Sequence, residues 1–372
     1  MKTFGDIQQI ASECDIEING HRNSDIQVLS NECYKRLVRD GSLGFGEAYI
    51  ECLWECTNLS ELFYKIARTG YDKVPIPKSP RLLWYIIKHR LFNLQSLRRS
   101  KKVCQQHYNL GNELYELMLD SELNYSCGYW RHADNLEQAQ RDKLDLICRK
   151  LGLKPGMRVL DVGSGWGSFA RYAAQHYGVE VVGVNISTEQ VNYAREHAGD
   201  LPIQFLLEDY RNLSGEQFDR IVSIGMFEHV GAKNYPTYFQ KLNELLKDDG
   251  LFLLHTIVAG STSSQPDPWI EKYIFPNSKL PSLAQITQSV EPYFCVEDLH
   301  NFGSDYDKTL MAWYYNFTKN WDKLKHQYDK RFYRIWTYYL LSCAGAFRAR
   351  TIHLWQAVLS KQGVPGGYAS IR

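Results

Sequence analysis

The 372-residue sequence has almost no net charge, no long apolar run and no paired-cysteine motif. Its 43 Lys and Arg residues against 42 Asp and Glu residues leave a formal charge of +1, which argues against a general attraction to nucleic acid. No apolar stretch approaches the ~20 residues of a membrane-spanning helix, and the N-terminal residues lack the pattern of a signal peptide. We therefore expect a cytoplasmic, globular protein that binds no nucleic acid.

Cysteine is present but is not arranged for disulfides or for a metal. The nine cysteines are odd in number, and no two of them form a CxxC pair. Cys52 and Cys56 are four residues apart, but no second pair of ligands follows them. We expect reduced, mostly buried thiols and no metal site.

The most informative feature of the sequence is a glycine-rich loop. Apolar residues precede Gly163, Gly165 and Gly167, and a helix-compatible stretch, 168–177, follows at once. Glycine permits positive φ angles and a close approach of a ligand to the main chain. The pattern predicts a strand, a loop and a helix around a nucleotide-like cofactor.

The order of apolar and helical stretches after residue 155 is typical of an α/β fold. Nearly continuous apolar runs, which fit strands buried on both faces, alternate with helical patterns. The expected strands are 158–162, 179–186, 203–207, 218–225 and 251–257, with two later extended stretches near 294–299 and 352–360 at one edge. Helices are expected over 306–320 and 323–343. We predict a doubly wound, mostly parallel sheet.

A domain boundary is indicated well before this sheet. Three prolines interrupt regular structure: Pro75, Pro77 and Pro80. We predict a small mixed N-terminal domain over 1–76, a basic amphipathic linker over 77–105 and a main domain over 106–372. The stretch 41–46, which contains three glycines, is interpreted as a turn.

The predicted linker carries a basic segment, 78–102, with eight Lys or Arg residues and no acidic residue. Its apolar residues Leu83, Ile87, Leu91 and Leu94 recur at helical spacing. A basic amphipathic helix with Trp and Tyr suits an anionic membrane surface. An ordinary helix between two domains explains the pattern equally well, so both interpretations stay open.

Polar side chains follow the carboxyl ends of the predicted strands, where ligands bind in sheets of this kind. The third glycine of the loop comes one residue earlier than in the GxGxxG pattern of dinucleotide sites, and Asn185 stands where such a site has Asp or Glu for the ribose. Asp209 and Tyr210 are placed to meet an adenine ring. These features favour S-adenosylmethionine over a nicotinamide dinucleotide as the cofactor.

Several motifs in order resemble the bacterial cyclopropane-fatty-acyl-phospholipid synthases, the family that includes the mycolic acid cyclopropane synthases. The matching stretches are 106–112, 125–130, 159–167, 225–231, 254–256, 273–276, 301–303, 305–306, 310–313 and 343–348. The N-terminal hundred residues resemble the extra domain of the longer bacterial members. Two positions depart from the common pattern, since Ser164 stands where Cys is frequent and Asn185 where Thr is frequent.

The resemblance implies an S-adenosylmethionine-dependent catalytic domain over 106–372 and a specific reaction. A methyl group is transferred to a cis double bond in an acyl chain of a membrane phospholipid, which leaves a carbocation beside the new methyl. A base removes a methyl proton and the ring closes. In this family the base is a bound bicarbonate ion. The implied partners are unsaturated phospholipids and the anionic inner face of the cell membrane, with a possible homodimer as the assembly.

The resemblance also implies the site residues. The side chains of Cys127, Glu228, His255 and Tyr306 and the backbone at Ile224 are expected around the bicarbonate. We expect burial to raise the pKa of Glu228, because a carboxylate beside an anion is otherwise unfavourable. Cys343 matches a family cysteine that has been considered catalytic, although the reaction requires no covalent step.

Two further sets complete the expected site. The residues expected to hold the cofactor are Tyr125, Ser126, Gly163, Gly165, Gly167, Asn185, Ile186, Gln190, Asp209 and Tyr210. The aromatic side chains expected to shield a carbocation are Tyr273, Phe302, Tyr306 and Trp313. Two alternatives remain: a methyltransferase that acts on nitrogen or oxygen of a small molecule, and a catalytically inactive lipid-binding protein.

Overall fold

The computed structural model describes residues 4–70, 111–262 and 266–372. The basic segment 78–102 and the first matching motif, up to residue 110, lie outside the described residues. In chain order the helices are α1 Phe4–Glu13, α2 Glu32–Asp40, α3 Ser42–Ile50, α4 Leu59–Thr69, α5 Asn112–Met118, α6 Leu136–Lys150, α7 Ser168–Tyr177, α8 Thr188–Glu196, α9 Tyr235–Leu245, α10 Pro268–Tyr273, α11 Leu283–Val290, α12 Ser304–Lys319, α13 Trp321–Leu324 and α14 Lys330–Arg348. The strands are β1 Gln27–Val28, β2 Trp54–Glu55, β3 Arg158–Val162, β4 Glu180–Asn185, β5 Ile203–Leu207, β6 Phe218–Ile224, β7 Leu246–Ala259, β8 Cys295–Asn301 and β9 Ile352–Ser360.

The chain forms two compact units that interleave along the sequence. One unit comprises Met1–Leu94, Ser264–Pro276 and Tyr306–Ile352, and the other comprises Gln95–Ser263, Asn277–Asp305 and His353–Arg372. The division at residues 76 and 105 that the sequence suggests stays a prediction.

Among its described residues, the first unit has helices and, as paired strands, the short β1–β2 pair. Helix α14 lies against α4 because Gly345 has no side chain: a Cβ there would come within 2.7 Å of the Ser60 carbonyl oxygen. The Arg334 guanidinium stacks 3.9 Å from the ring centroid of Tyr49 and donates to its carbonyl oxygen. These contacts bind the C-terminal helices of the unit to its N-terminal helices.

Two sequence predictions in this unit were wrong. Only Gly41, at φ 59°, forms a turn in the stretch 41–46, and α3 begins at Ser42. Gly44 and Gly46 serve close packing instead, because a Cβ on Gly46 would collide with the Trp269 ring. The helix expected over 323–343 is interrupted, because the Asp329 carboxylate accepts from the Phe332 N–H at 2.8 Å and begins a new helix, α14.

The second unit contains a seven-stranded sheet in the order β5-β4-β3-β6-β7-β9-β8. Strands β3 to β7 pair in parallel and β8 pairs antiparallel with β9, so the predicted mostly parallel α/β sheet is confirmed. The chain leaves β3 toward β5 and returns to β6 on the other side of β3. This reversal creates a crevice at the carboxyl ends of β3 and β6, where ligands bind in open α/β sheets.

Apolar side chains cover both faces of the sheet. Along β3, Val159 belongs to the cluster formed with α6 and α7, whereas Leu160 belongs to the cluster formed with α9 and α11. This alternation explains why the strands have nearly continuous apolar sequences. The rigid sheet holds the strand ends, and therefore the polar residues after them, in fixed positions.

The described residues include neither a helix that could span a membrane nor a cluster that could hold a metal ion. Among the helices in 4–70, 111–262 and 266–372, none combines the length and the hydropathy needed to span a bilayer. In the same ranges, no group of three or more His, Cys, Asp and Glu side chains is arranged to hold a metal ion.

Candidate active site

In the glycine loop between β3 and α7, the first and third glycines allow close packing and the middle glycine leaves space beside the main chain. All three glycines have positive φ angles, of 87° at Gly163, 53° at Gly165 and 83° at Gly167. A Cβ would lie 2.7 Å from Met226 at the first and 2.6 Å from Phe205 at the third, whereas no described residue lies within 4 Å of one at Gly165. The middle of the loop can therefore accept a ligand against its main chain.

The end of β4 brings three predicted cofactor residues beside this loop. Asn185 donates to the Gln190 side-chain oxygen at 2.8 Å and accepts from the Ser187 N–H at 3.1 Å. Ile186 lies between Asn185 and Ser187 in the chain, and the Ser187 side chain caps α8. The Gly163 N–H donates to the Val184 carbonyl oxygen at 2.9 Å, which fixes the loop relative to this strand.

At the end of β5, Asp209 is already engaged. Its two carboxylate oxygens accept from the Arg211 guanidinium at 2.8 and 2.7 Å, and one also accepts from the Arg211 backbone N–H. Tyr210, the next residue, lies edge-on to the Tyr238 ring at 5.3 Å. Because the Arg211 guanidinium already occupies both carboxylate oxygens of Asp209, a role of Asp209 in cofactor binding stays a prediction.

The segment that contains Tyr125, Ser126 and Cys127 is held by buried polar side chains of α6. Lys143 donates to the Ser126 hydroxyl at 3.1 Å, and Gln140 donates to the Ser126 carbonyl oxygen at 2.8 Å. Cys127 is completely buried, and its thiol donates to the Gly128 carbonyl oxygen at 3.2 Å. These bonds fix the conformation of the segment.

Aromatic rings and a hydroxyl connect this segment to the glycine loop. Tyr125 lies edge-on to Tyr115, whose ring packs 4.8 Å from that of Trp166 in the loop. The Ser168 hydroxyl, at the start of α7, donates to the Asn124 side-chain oxygen at 2.9 Å. The two predicted cofactor-binding segments therefore lie together.

Sequence reasoning missed Gln140 and Lys143. Burial lowers the pKa of Lys143 to about 8 and raises that of Asp161, at the end of β3, to about 7. Each charge partly offsets this cost for the other. Their spacing could have indicated burial, because Gln140 and Lys143 share a helix face with the apolar Leu136 and Ile147.

Glu228 lies in a short 3₁₀ turn after β6, and its carboxyl group is buried. Its Oε1 accepts from the Ile257 N–H on β7 at 2.7 Å. Within the described residues, its Oε2 is buried without a hydrogen-bond partner. Burial raises the pKa of Glu228 to about 7, even though the bond from Ile257 favours the ionised form.

His255 lies on β7, two residues before Ile257 and so on the same face of the strand. Its Nδ1 faces the Gln356 side-chain nitrogen on β9 at 3.2 Å, and its Nε2 is buried without a partner among the described residues. Burial lowers the pKa of His255 well below its ordinary value, so the ring is neutral. Ile224, the backbone position predicted beside the bicarbonate, is the register partner of His255 on β6.

The unpartnered atoms of Glu228 and His255 fit a small anion that both donates and accepts. Buried polar atoms without partners are rare and costly in native proteins. A neutral imidazole nitrogen can donate to an oxyanion, and a carboxyl group with a pKa near 7 can share a proton with it. Phe302 lies edge-on to His255 at 5.8 Å and closes this region with an apolar wall.

Tyr306 and Cys343 belong to the other compact unit. The Tyr306 ring is buried, stacked 4.5 Å from Phe347 and edge-on to Trp313 at 6.0 Å. Burial raises the pKa of Cys343 to about 12, which keeps its thiol protonated and makes it a poor nucleophile at neutral pH. Participation of Tyr306 and Cys343 in one site with Glu228 and His255 stays a prediction.

The sheet order, the glycine loop at the switch point and the polar strand ends define the class of protein. They are those of an S-adenosylmethionine-dependent methyltransferase. Coclaurine N-methyltransferase, solved with N-methylheliamine and SAH, has this fold: its TM-score is 0.69 at 22% identity, covering 85% of this chain and 98% of that one. At this identity the likeness extends to the fold alone.

Within this class, the chain belongs to the mycolic acid cyclopropane synthetase family, whose family model matches residues 95–357. It is 53% identical over 359 residues to the cyclopropane-fatty-acyl-phospholipid synthase of Escherichia coli strain K12, covering 96% of this chain and 93% of that protein. The mycolic acid cyclopropane synthase CmaA1, solved with SAH and CTAB, has a TM-score of 0.66 at 33% identity, covering 70% of this chain and 98% of that one.

Proposed function

We propose that this chain transfers a methylene group from S-adenosylmethionine to the cis double bond of an unsaturated acyl chain in a membrane phospholipid, forming a cyclopropane ring. Its similarity to the E. coli synthase over nearly the whole of both chains supports this substrate class. The observation that carries the proposal is the pair of buried atoms without partners among the described residues, Glu228 Oε2 and His255 Nε2. An ordinary methyl transfer needs no such pair.

The residues around the glycine loop hold the methyl donor. When bound, S-adenosylmethionine supplies an electrophilic methyl group on a sulfonium centre. The open main chain at Gly165 accepts it closely, and Asn185 and Gln190 offer polar groups at the end of β4. The other residues proposed to hold it are Tyr125, Ser126, Gly163, Gly167, Ile186, Asp209 and Tyr210.

Bicarbonate is the proposed small anion, and it would supply the base that removes the methyl proton. His255 donates a hydrogen bond to it from Nε2. Glu228, whose pKa is raised to about 7, can share a proton with it and so avoid two facing negative charges. Cys127, Tyr306 and the backbone at Ile224 complete the proposed anion site.

The walls of the site must exclude water, because water would capture a carbocation. Aromatic faces offer negative quadrupoles without offering a nucleophile. Phe302 lies against His255, and Tyr306 and Trp313 lie together in the other unit. We propose that these rings, with Tyr273, shield the reacting carbons.

The enzyme is proposed to act as a peripheral protein on the inner face of the cell membrane, with a homodimer as its assembly. The basic segment 78–102 supports attraction to an anionic surface. Neutralising its last four charges (Arg98, Arg99, Lys101 and Lys102) is expected to weaken binding to vesicles of anionic phospholipid. Unchanged binding in a vesicle sedimentation assay would favour an interdomain role for the segment.

The reaction is tested with purified protein, S-adenosylmethionine and vesicles of a mono-unsaturated phospholipid, followed by mass spectrometry of the acyl chains. The expected product gains one methylene group per double bond. Vesicles of a fully saturated phospholipid serve as the matched control and should gain nothing. No gain on any unsaturated lipid, together with turnover of a soluble amine, would establish an N-methyltransferase instead.

A further inference from the structure

Gln356 is a polar side chain in an apolar part of the sheet. It lies on β9, next to β7, and is completely buried. Within the described part of the chain, its side-chain nitrogen has one neighbouring acceptor, His255 Nδ1 at 3.2 Å, and its side-chain oxygen has none. Its neighbours two residues away on the same strand face, Leu354 and Val358, are buried and apolar.

A buried amide of this kind lowers the stability of the fold, so its presence calls for a functional reason. A buried amide loses its hydrogen bonds to water, and only part of that loss is recovered here because the oxygen has no partner among the described residues. An apolar residue of similar size would fit this face of β9 better. The contact with His255 is the feature of Gln356 that no apolar residue could supply.

The chemistry of this contact fixes the proton on the histidine. A side-chain amide nitrogen carries two protons and can only donate, so the Nδ1 atom that it faces must offer its lone pair. A neutral imidazole that accepts at Nδ1 carries its proton at Nε2. We propose that Gln356 is a positioning residue that holds His255 as the Nε2–H tautomer, aimed as a donor into the anion site.

This tautomer assigns His255 its part in the reaction, and in this respect the inference rests on the proposed function. With Nε2 protonated, neutral His255 can stabilise an anion but has no lone pair there with which to take a methyl proton. Gln356 thereby prevents the histidine from replacing bicarbonate as the base. With the opposite tautomer, Nε2 would carry the lone pair that a base needs.

The groups around His255 keep it neutral. Lys143 and Lys150 of α6 both lower its pKa in addition to burial, and Glu228 approaches from the turn after β6. His300, on β8 opposite Gln356, is itself kept neutral, because burial lowers its pKa to about 4. Gln356 adds no charge to this set, which is consistent with a role in choosing the tautomer alone.

The direct test is the tautomer in the ligand-free protein. Nitrogen-15 NMR of protein labelled at histidine distinguishes a protonated from an unprotonated ring nitrogen, and a His255→Asn variant identifies the resonance. We expect a neutral ring with a protonated Nε2 and an unprotonated Nδ1 throughout neutral pH. A protonated Nδ1 would overturn the proposal, because the Gln356 oxygen would then be facing the ring.

Variants at Gln356 test the consequence. Gln356→Glu places an acceptor beside Nδ1 and should move the proton there or charge the ring, which lowers kcat by about tenfold to a hundredfold and moves the acid limb of the pH profile upward. Gln356→Met removes the bond without adding charge and should give a mixture of tautomers with a smaller loss of kcat. KM for S-adenosylmethionine should change less than about twofold in both, because the glycine loop is untouched.

Val358→Ala is the matched control, because it also changes a buried residue on the same face of β9 but one whose side chain can form no hydrogen bond with His255. It should lower stability while leaving the tautomer and kcat in place. If it lowers kcat as much as Gln356→Met does, the role of Gln356 is merely structural. Failure of the lipid assay together with a protonated Nε2 would reject the proposed function and leave the tautomer assignment intact.

Discussion

Replacing Glu228 with Gln should make the protein more stable at alkaline pH while removing most of its activity. The carboxyl group is buried, and its pKa rises from 4.5 to about 7. This rise in pKa corresponds to about 3 kcal/mol of penalty on the ionised form in the folded state. Glutamine is nearly isosteric, and its side-chain oxygen can still accept from the Ile257 N–H.

The direction follows from linkage between protonation and folding. An acid whose folded pKa exceeds its unfolded value binds an extra proton in the folded state between pH 4.5 and 7. Its contribution to stability is therefore greatest below pH 4.5 and is lost as the pH rises through 7. At pH 8 the free energy of unfolding of Glu228→Gln should exceed that of the wild type by up to about 3 kcal/mol more than it does at pH 4.

Urea denaturation of both proteins at several pH values provides the assay. The difference between them isolates Glu228, because Asp161, whose pKa is also raised to about 7, titrates in both. Activity of Glu228→Gln toward unsaturated vesicles should fall by about a hundredfold or more, the usual contribution of one proton-transferring group. A stability difference that does not change with pH would show that the pKa of Glu228 is not raised, and wild-type activity in the variant would show that its proton is not needed.

Four further substitutions have separate expected outcomes. Gly167→Ala should lower the free energy of unfolding by more than the ~1–2 kcal/mol that a left-handed backbone alone costs, because its Cβ would meet Phe205. Gly165→Ala should lower it by about that amount and should mainly weaken cofactor binding. Denaturation compares the stability of the two variants, and titration calorimetry compares their affinity for the cofactor. Lys143→Met, at nearly constant volume, should raise KM for S-adenosylmethionine by freeing the Ser126 segment, which steady-state kinetics measures; an unchanged KM would contradict this role. Asp329→Ala should lower the free energy of unfolding by about 1 kcal/mol through loss of the α14 cap and leave kcat unchanged.

The sheet and its ligand-binding edge could be predicted from the sequence because their signals are local. Buried parallel strands are continuously apolar, and Gly163, Gly165 and Gly167 directly follow one of them. The boundaries were less accurate: β7 extends to Leu246–Ala259 beyond the expected 251–257, and the missed residues at its beginning include the polar Lys247, Asp248 and Asp249. Such ends are fixed by pairing with neighbouring strands rather than by composition.

The partners of the site residues could not be predicted, because they come from distant parts of the chain. Gln356 meets His255 across 101 positions, and Lys143 meets Ser126 across 17. A single buried polar residue in an apolar strand or helix is ambiguous until its partner is known. The unit to which each C-terminal helix belongs could not be predicted from the sequence either, because it depends on small residues such as Gly345 that allow two helices to pack closely.

Methylene transfer to a lipid double bond with loss of a methyl proton can be tested directly by isotope labelling. The protein is incubated with S-adenosylmethionine carrying a trideuterated methyl group and vesicles of a mono-unsaturated phospholipid, and the acyl chains are analysed by mass spectrometry. We expect a ring carbon that retains two of the three deuterium atoms, because one leaves with the base. Retention of all three would indicate simple methylation, and incorporation of none would contradict the proposed reaction.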